Sequence, residues 1–161
     1  MSNTAGARGE VALPVLALDL EGTLISNAVS QIPRPGLFQF LVACRELFPR
    51  IVMFTTVREP QFRCIADGLV QERAAPPWFA HLEYIVWTGA TKDLRVISAL
   101  QWPFVALVDD CQAYVHPGQE GHWVPIEQFC SPYRDSDIEL SATLKRLESH
   151  LARWGTLKLS N

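Results

Sequence analysis

The chain has no apolar run of transmembrane length, no CxxC pair and almost no excess of charge of either sign. The first absence excludes a membrane-spanning helix, which needs about 20 consecutive apolar residues. Residues 1–14 lack the apolar core of an export signal. Cys44, Cys64, Cys111 and Cys130 are therefore read as reduced core thiols rather than two disulfides, and cytoplasm is the expected compartment. A formal net charge of −3 gives little attraction to nucleic acid or to an anionic membrane, since both recruit positive charge. His81, His116 and His122 lack metal-ligand spacing and read as structural. No repeat, low-complexity tract or linker divides the chain, so residues 1–161 read as one domain with 1–12 as a flexible tail.

What is present is enough apolar material for a real core: 161 residues, 48% hydrophobic and 19% charged. The hydrophobic pattern alternates between two periods. Residues 15–19 are an apolar run ending in Asp19, and 36–48 place Leu37, Phe40, Leu41, Cys44 and Leu47 on one helical face. Residues 51–54 form a second run, ending at Thr55 and Thr56. Pro60 suits the first turn of a helix carrying Phe62, Ile65, Ala66 and Leu69. A proline-bearing loop over 71–81 leads to a third strand near 84–87. Thr91 can cap a further helix whose inner face is Leu94, Ile97 and Leu100. Residues 104–108 are the fourth strand, ending at Asp109 and Asp110, and 122–124 a short fifth. Residues 136–139 form a capping box ahead of a helix with Leu140, Leu144, Leu147 and Leu151 inward. Such alternation predicts an α/β fold: a doubly wound, mainly parallel five-stranded sheet with helices on both faces.

Polar residues punctuate the strand ends. In open α/β sheets ligands sit in the crevice beyond the carboxyl ends of the strands. Asp19 falls there, followed by Glu21, Gly22 and Thr23. Thr55 follows the second strand, Lys92 stands at a helix start, and Asp109 with Asp110 follow the fourth strand. A lone Thr55 is a common strand-end residue. A lysine in a first helical turn is an ordinary solvated cation, though poorly matched to the helix dipole. Adjacent carboxylates at a buried strand end are harder to treat as ordinary, because they repel unless a cation joins them. Arg34 reads as shaping the turn with Pro35 and Gly36, and Arg58 as a surface arginine within reach of a substrate. The five tryptophans read as packing.

In that order and spacing the four features resemble the haloacid dehalogenase superfamily of phosphohydrolases: Asp-x-Asp-x-Thr, a strand-end Thr or Ser, a Lys, and an acidic pair. The stretches Arg34-Pro-Gly-Leu-Phe-Gln-Phe-Leu41, Met53-Phe-Thr-Thr56, Lys92-Asp-Leu94 and Val108-Asp-Asp110 are similar to the protein phosphatases that include the small C-terminal-domain phosphatases of RNA polymerase II. One departure stands out: Glu21 replaces the second aspartate of the first motif. The resemblance implies an Mg²⁺-dependent phosphomonoester hydrolase. Asp19 would be the nucleophile and Glu21 the general acid and base. Thr55 and Lys92 would hold the phosphoryl group. Asp19, Asp109 and the Glu21 backbone carbonyl would be metal ligands, with Asp110 ligating through water or holding Lys92.

Spacing bears on substrate. Relatives that act on small metabolites usually carry a cap domain after the first or second motif. Residues 25–50 and 57–91 are already filled by predicted elements, so no large cap is expected. An open cleft suits a phosphoprotein, then a phosphorylated polysaccharide or nucleic-acid end; oligomerisation could supply a lid for a metabolite. A phosphorylatable signalling receiver is a rival, but its acidic pair sits at the first strand rather than the last. A degenerate binding or regulatory protein on the same fold is the other alternative, supported by Glu21 alone.

Overall fold

The computed structural model describes residues 13–158, so the tail expected over 1–12 lies outside the described residues. The elements run β1 (Val15–Leu18), α1 (Leu37–Leu47), β2 (Arg50–Met53), α2 (Glu59–Gln71), β3 (Glu83–Tyr84), β4 (Val105–Asp109), β5 (Trp123–Pro125) and α3 (Glu139–Lys158). The five strands form one parallel sheet in the order β3-β2-β1-β4-β5. Strand β1 is central, with Val15 opposite Arg50 on one side and Val105 on the other.

The period of two decides the packing. Leu16 and Leu18 of β1, Ile51 and Met53 of β2, and Ala106 and Val108 of β4 join one core with the inner faces of all three α-helices. Val15, Ala17, Val52, Val105 and Leu107 point to a second core with Phe54, Ile85, Leu94 and Ile97. A central parallel strand buried on both faces needs apolar residues at every position, which is why β1 reads Val-Leu-Ala-Leu without a polar break. Each large side chain so buried contributes about 1.5–3 kcal/mol relative to exposure.

The second face departs from expectation. The helix predicted after Thr91 is a single 3₁₀ turn, Leu94–Val96, and Leu100 is 90% exposed. Asp93, not Thr91, caps the turn by accepting the Arg95 N–H, while the Thr91 hydroxyl pairs with His116 Nδ1 at 2.7 Å. A second 3₁₀ turn, Trp102–Phe104, follows almost at once, leaving no length for a stable α-helix. The capping box before α3 is also not used as such: Asp137 Oδ1, rather than Ser136, accepts the Glu139 N–H. Strands two to five each begin one residue away from expectation, and β3 is cut to two.

This topology positions a site. Beyond β1 the chain turns toward β2, whereas β4 lies on the other side, so a crevice opens at the carboxyl ends of β1 and β4. The Asp19 N–H still bonds Val108 O at 3.0 Å, and the Phe54 N–H bonds Leu18 O at 2.8 Å. Asp19, Thr55 and Asp109 therefore leave adjacent strands at the same end of the sheet. No helix among the described residues is long and apolar enough to cross a membrane.

Candidate active site

The turn after β1 is tight because three amide groups, of Thr23, Leu24 and Ile25, all donate to Leu20 O. Gly22 within it has φ +71°, and a Cβ there would lie 2.5 Å from Asp110 Oδ2. Only glycine meets both demands at little cost. Thr23, fully buried beside it, places Oγ1 3.1 Å from Asp19 Oδ2 and 3.3 Å from Asp110 Oδ1. A hydroxyl has one proton, so both contacts are satisfied only if a carboxyl carries a proton or a cation takes its place.

Asp19, Asp109 and Asp110 each bring an oxygen within 4.8 Å of the others. Lys92 is fully buried and donates to Asp19 Oδ1 at 2.9 Å and to Asp109 Oδ2. The rings of Tyr114, Trp87 and Phe54 surround its ammonium, with centroids 5.4, 5.5 and 5.9 Å from Nζ. Ring faces attract a cation, so they offset part of its desolvation. Its backbone is held as well: the Lys92 N–H bonds Tyr114 O at 2.7 Å, and buried Gln119 ties Leu94 N–H and Asp93 Oδ1 together.

Three carboxylates face one ammonium, leaving two negative charges uncompensated when all are ionised. Burial, then repulsion from Asp19, pushes the Asp109 carboxyl up to about 6. Burial again, then Asp19 and Asp109, pushes Asp110 up to about 7. Burial opposes the Lys92 charge, but attraction to Asp19 and Asp109 outweighs it and holds the ammonium above its ordinary value. A hard divalent cation fits this donor set, which offers oxygen ligands, excess negative charge and a proton it can displace.

The remaining expected residues fall in two places. Asp110 takes its contact from Thr23, and Lys92 reaches Asp19 and Asp109 instead. The Glu21 carboxylate is not in the acidic cluster; its Oε2 accepts the Ala28 N–H at 2.6 Å. Thr55 is buried, and its Oγ1 accepts the Val57 N–H at 3.2 Å, which leaves its own proton to donate. With Arg58, Tyr84, Trp87 and Tyr114 it lines a cleft of about 660 Å³.

Three features were not legible beforehand: the contacts of the Thr23 hydroxyl, the aromatic rings around Lys92, and the partner of Arg34. Thr23 stood inside the first motif and had a signal. Asp137, which holds Arg34 through a bidentate pair at 3.0 Å, lies 103 residues further on and had none.

A parallel sheet with a carboxylate just past its central strand, an acidic pair past the neighbouring strand and a buried lysine joining them is the architecture of a haloacid dehalogenase-type phosphohydrolase. Within that class the chain belongs to the NLI interacting factor-like phosphatases, a family that matches residues 14–157. Membership implies phosphoric monoester hydrolase activity. No curated protein matches the sequence.

Proposed function

We propose that the protein hydrolyses phosphomonoesters with Mg²⁺ through an aspartyl-phosphate formed on Asp19. The observation that carries this reading is buried Lys92 donating to both Asp19 and Asp109 while Asp110 adds further negative charge. Phosphomonoesters resist attack because their oxygens are negative, so catalysis is mostly positioning and charge neutralisation. Asp19 would attack phosphorus in line as the bond to the leaving oxygen breaks. Its two oxygens are pinned by Lys92 and Thr23, so the carboxylate enters with a fixed orientation. Glu21 would protonate the leaving oxygen, then take a proton from the water that attacks the aspartyl-phosphate and releases phosphate. The Ala28 amide fixes Glu21 Oε2 and leaves Oε1 for that transfer. Thr55 would donate to a phosphoryl oxygen, and Lys92 would offset its charge. Mg²⁺, when bound by Asp19, Asp109 and Asp110 with the Glu21 backbone carbonyl, supplies Lewis-acid neutralisation of the phosphoryl oxygens.

The elements between β1 and β2 and between β2 and β3 are α1, α2 and a short 3₁₀ turn, with no inserted domain over the cleft beside Thr55. An open approach favours a large phosphorylated surface in the cytoplasm, a phosphoprotein first. The second reading, a weak or inactive binding protein, is favoured by Glu21 standing apart from the acidic cluster.

Turnover of an aryl phosphate with and without Mg²⁺, followed by a phosphopeptide and metabolite panel, tests the proposal. Asp19→Asn is expected to keep the fold and to lose activity by at least about a thousand-fold, since an amide does not attack phosphorus. Beryllium fluoride should trap on Asp19 in the unaltered protein. Activity that survives Asp19→Asn or excess EDTA would sink the mechanism.

A further inference from the structure

We propose that Arg34 and Asp137 are a positioning pair that holds the Gly22–Thr23 turn against the acidic cluster, so that cation affinity and turnover depend on them more than stability does. The inference rests on the phosphatase reading for its kinetic half, and on the acidic cluster alone for its binding half.

Arg34 is 1% exposed. Its Nε and Nη2 each donate to Asp137 at 3.0 Å. Its Nη1 reaches back to Thr23 O at 3.2 Å and Gly22 O at 3.4 Å. The Phe129 ring centroid lies 5.3 Å from the guanidinium carbon, and the Phe129 N–H bonds the same Gly22 O at 2.8 Å. Asp137 Oδ1 also accepts the Glu139 N–H, so the pair anchors on the first residue of α3. One planar fork thus joins the turn after β1 to the start of the last helix.

A purely structural ion pair is the plain alternative. Buried pairs, however, add little stability beyond a well-packed apolar replacement of the same volume. What an arginine offers, and a methionine does not, is rigid donors aimed at two successive carbonyl oxygens. Those carbonyls belong to two residues that touch the cluster on their own account. Gly22 abuts Asp110, and Thr23 Oγ1 contacts both Asp19 and Asp110. Rotating either peptide plane moves the separation of the two carboxylates, which is the quantity a hard cation reads.

The test compares the unaltered protein, Arg34→Lys and the double variant Arg34→Met/Asp137→Val, which removes both charges at nearly the original combined volume. Mg²⁺ and Mn²⁺ affinity is measured by titration calorimetry, melting temperature by circular dichroism, and kcat and KM on an aryl phosphate at saturating cation. The double variant is expected to melt close to the unaltered protein while its cation affinity falls about ten- to a hundred-fold, as for other residues that orient metal ligands. Its kcat should fall with KM nearly unchanged, and Arg34→Lys should fall between the two. Unaltered affinity and kcat in the double variant would overturn the proposal. If the double variant does not fold, Arg34→Lys decides: a retained melting temperature with weakened cation binding supports the pair, and retained binding overturns it. Activity of the unaltered protein is recorded first, so a lack of turnover counts against the phosphatase reading while the affinity series still judges the pair.

Discussion

Two fully buried cationic side chains, Arg34 at the turn after β1 and Lys92 at the acidic cluster, live in opposite electrostatic circumstances. Arg34 meets one carboxylate in a bidentate pair and spends its remaining donors on carbonyls, so its surroundings are neutral and satisfied. Lys92 meets two carboxylates with a third close by, and the charge does not balance. A balanced buried pair is finished by folding. An unbalanced one retains a demand that a proton or a cation must fill. The difference separates a tether, which positions its neighbours, from the charged centre itself, although both would register simply as buried ion pairs.

Removing the two cations breaks this comparison most sharply. Lys92→Met should lower turnover by about a hundred- to a thousand-fold, because a preorganised charge at the phosphoryl group is lost. It should also destabilise the protein by about 3–5 kcal/mol in EDTA at pH 8, since buried carboxylates are left unpaired. Saturating Mg²⁺ should recover much of that stability for Lys92→Met and little for Arg34→Met, as seen in denaturant titrations. Equal rescue of both variants would erase the distinction.

Glu21 sharpens the contrast from outside the cluster, being an acid held by one amide rather than by a cation. Glu21→Gln should slow alkyl phosphates about a hundred-fold and aryl phosphates only a few-fold, because aryl leaving groups need less protonation. Glu21→Asp distinguishes two geometries: a gain in rate says the glutamate arm is misplaced, a loss says the site is built around it. Unchanged rates on both ester types in Glu21→Gln would remove Glu21 from the acid-base role and favour the binding protein.

The smallest expected effect is on melting temperature against pH. Asp109 and Asp110 sit at about 6 and about 7 in the cation-free fold, above the ordinary value of about 3.9 in an unfolded chain. A raised carboxyl contributes stability below its unfolded value and loses it as pH rises through its folded value. Their contribution in EDTA therefore falls between about pH 4 and pH 8, and Mg²⁺, which needs the deprotonated forms, stabilises more at each step upward. Thermal scans with EDTA and with Mg²⁺ should diverge by a few degrees from pH 5 to pH 8; parallel curves would show that the cluster does not take the cation.

The three inner strands were legible because burial on both faces demands unbroken apolar runs, and the acids were legible because they stop two of those runs abruptly. Less could be read where partners are distant or where two local signals compete. Leu94, Ile97 and Leu100 have helical spacing, yet the segment starts only at the Asp93 cap and the nearby second turn cuts it short, and Leu100 faces solvent. Lys92 taken alone reads as an ordinary solvated cation, and only the order of the four motifs brings it to the site, because nothing in its neighbourhood announces Asp19, 73 residues earlier. Arg34 was placed at a turn, which it does adjoin, but its role as a tether depends on Asp137 near the other end of the chain.

The sheet's margins carry a last consequence, for behaviour in a crowded solution. A parallel sheet of this kind exposes unpaired amide and carbonyl groups along two outer rows, where another chain could add a strand. Here β3 spans two residues, with its Glu83 drawn to Arg50 of β2, and β5 spans three and ends in Pro125, which has no N–H to give. Each row offers too few groups in line to template a partner. Among the described residues, then, the shortness of the outer strands works against strand addition, independently of the chemistry at the centre.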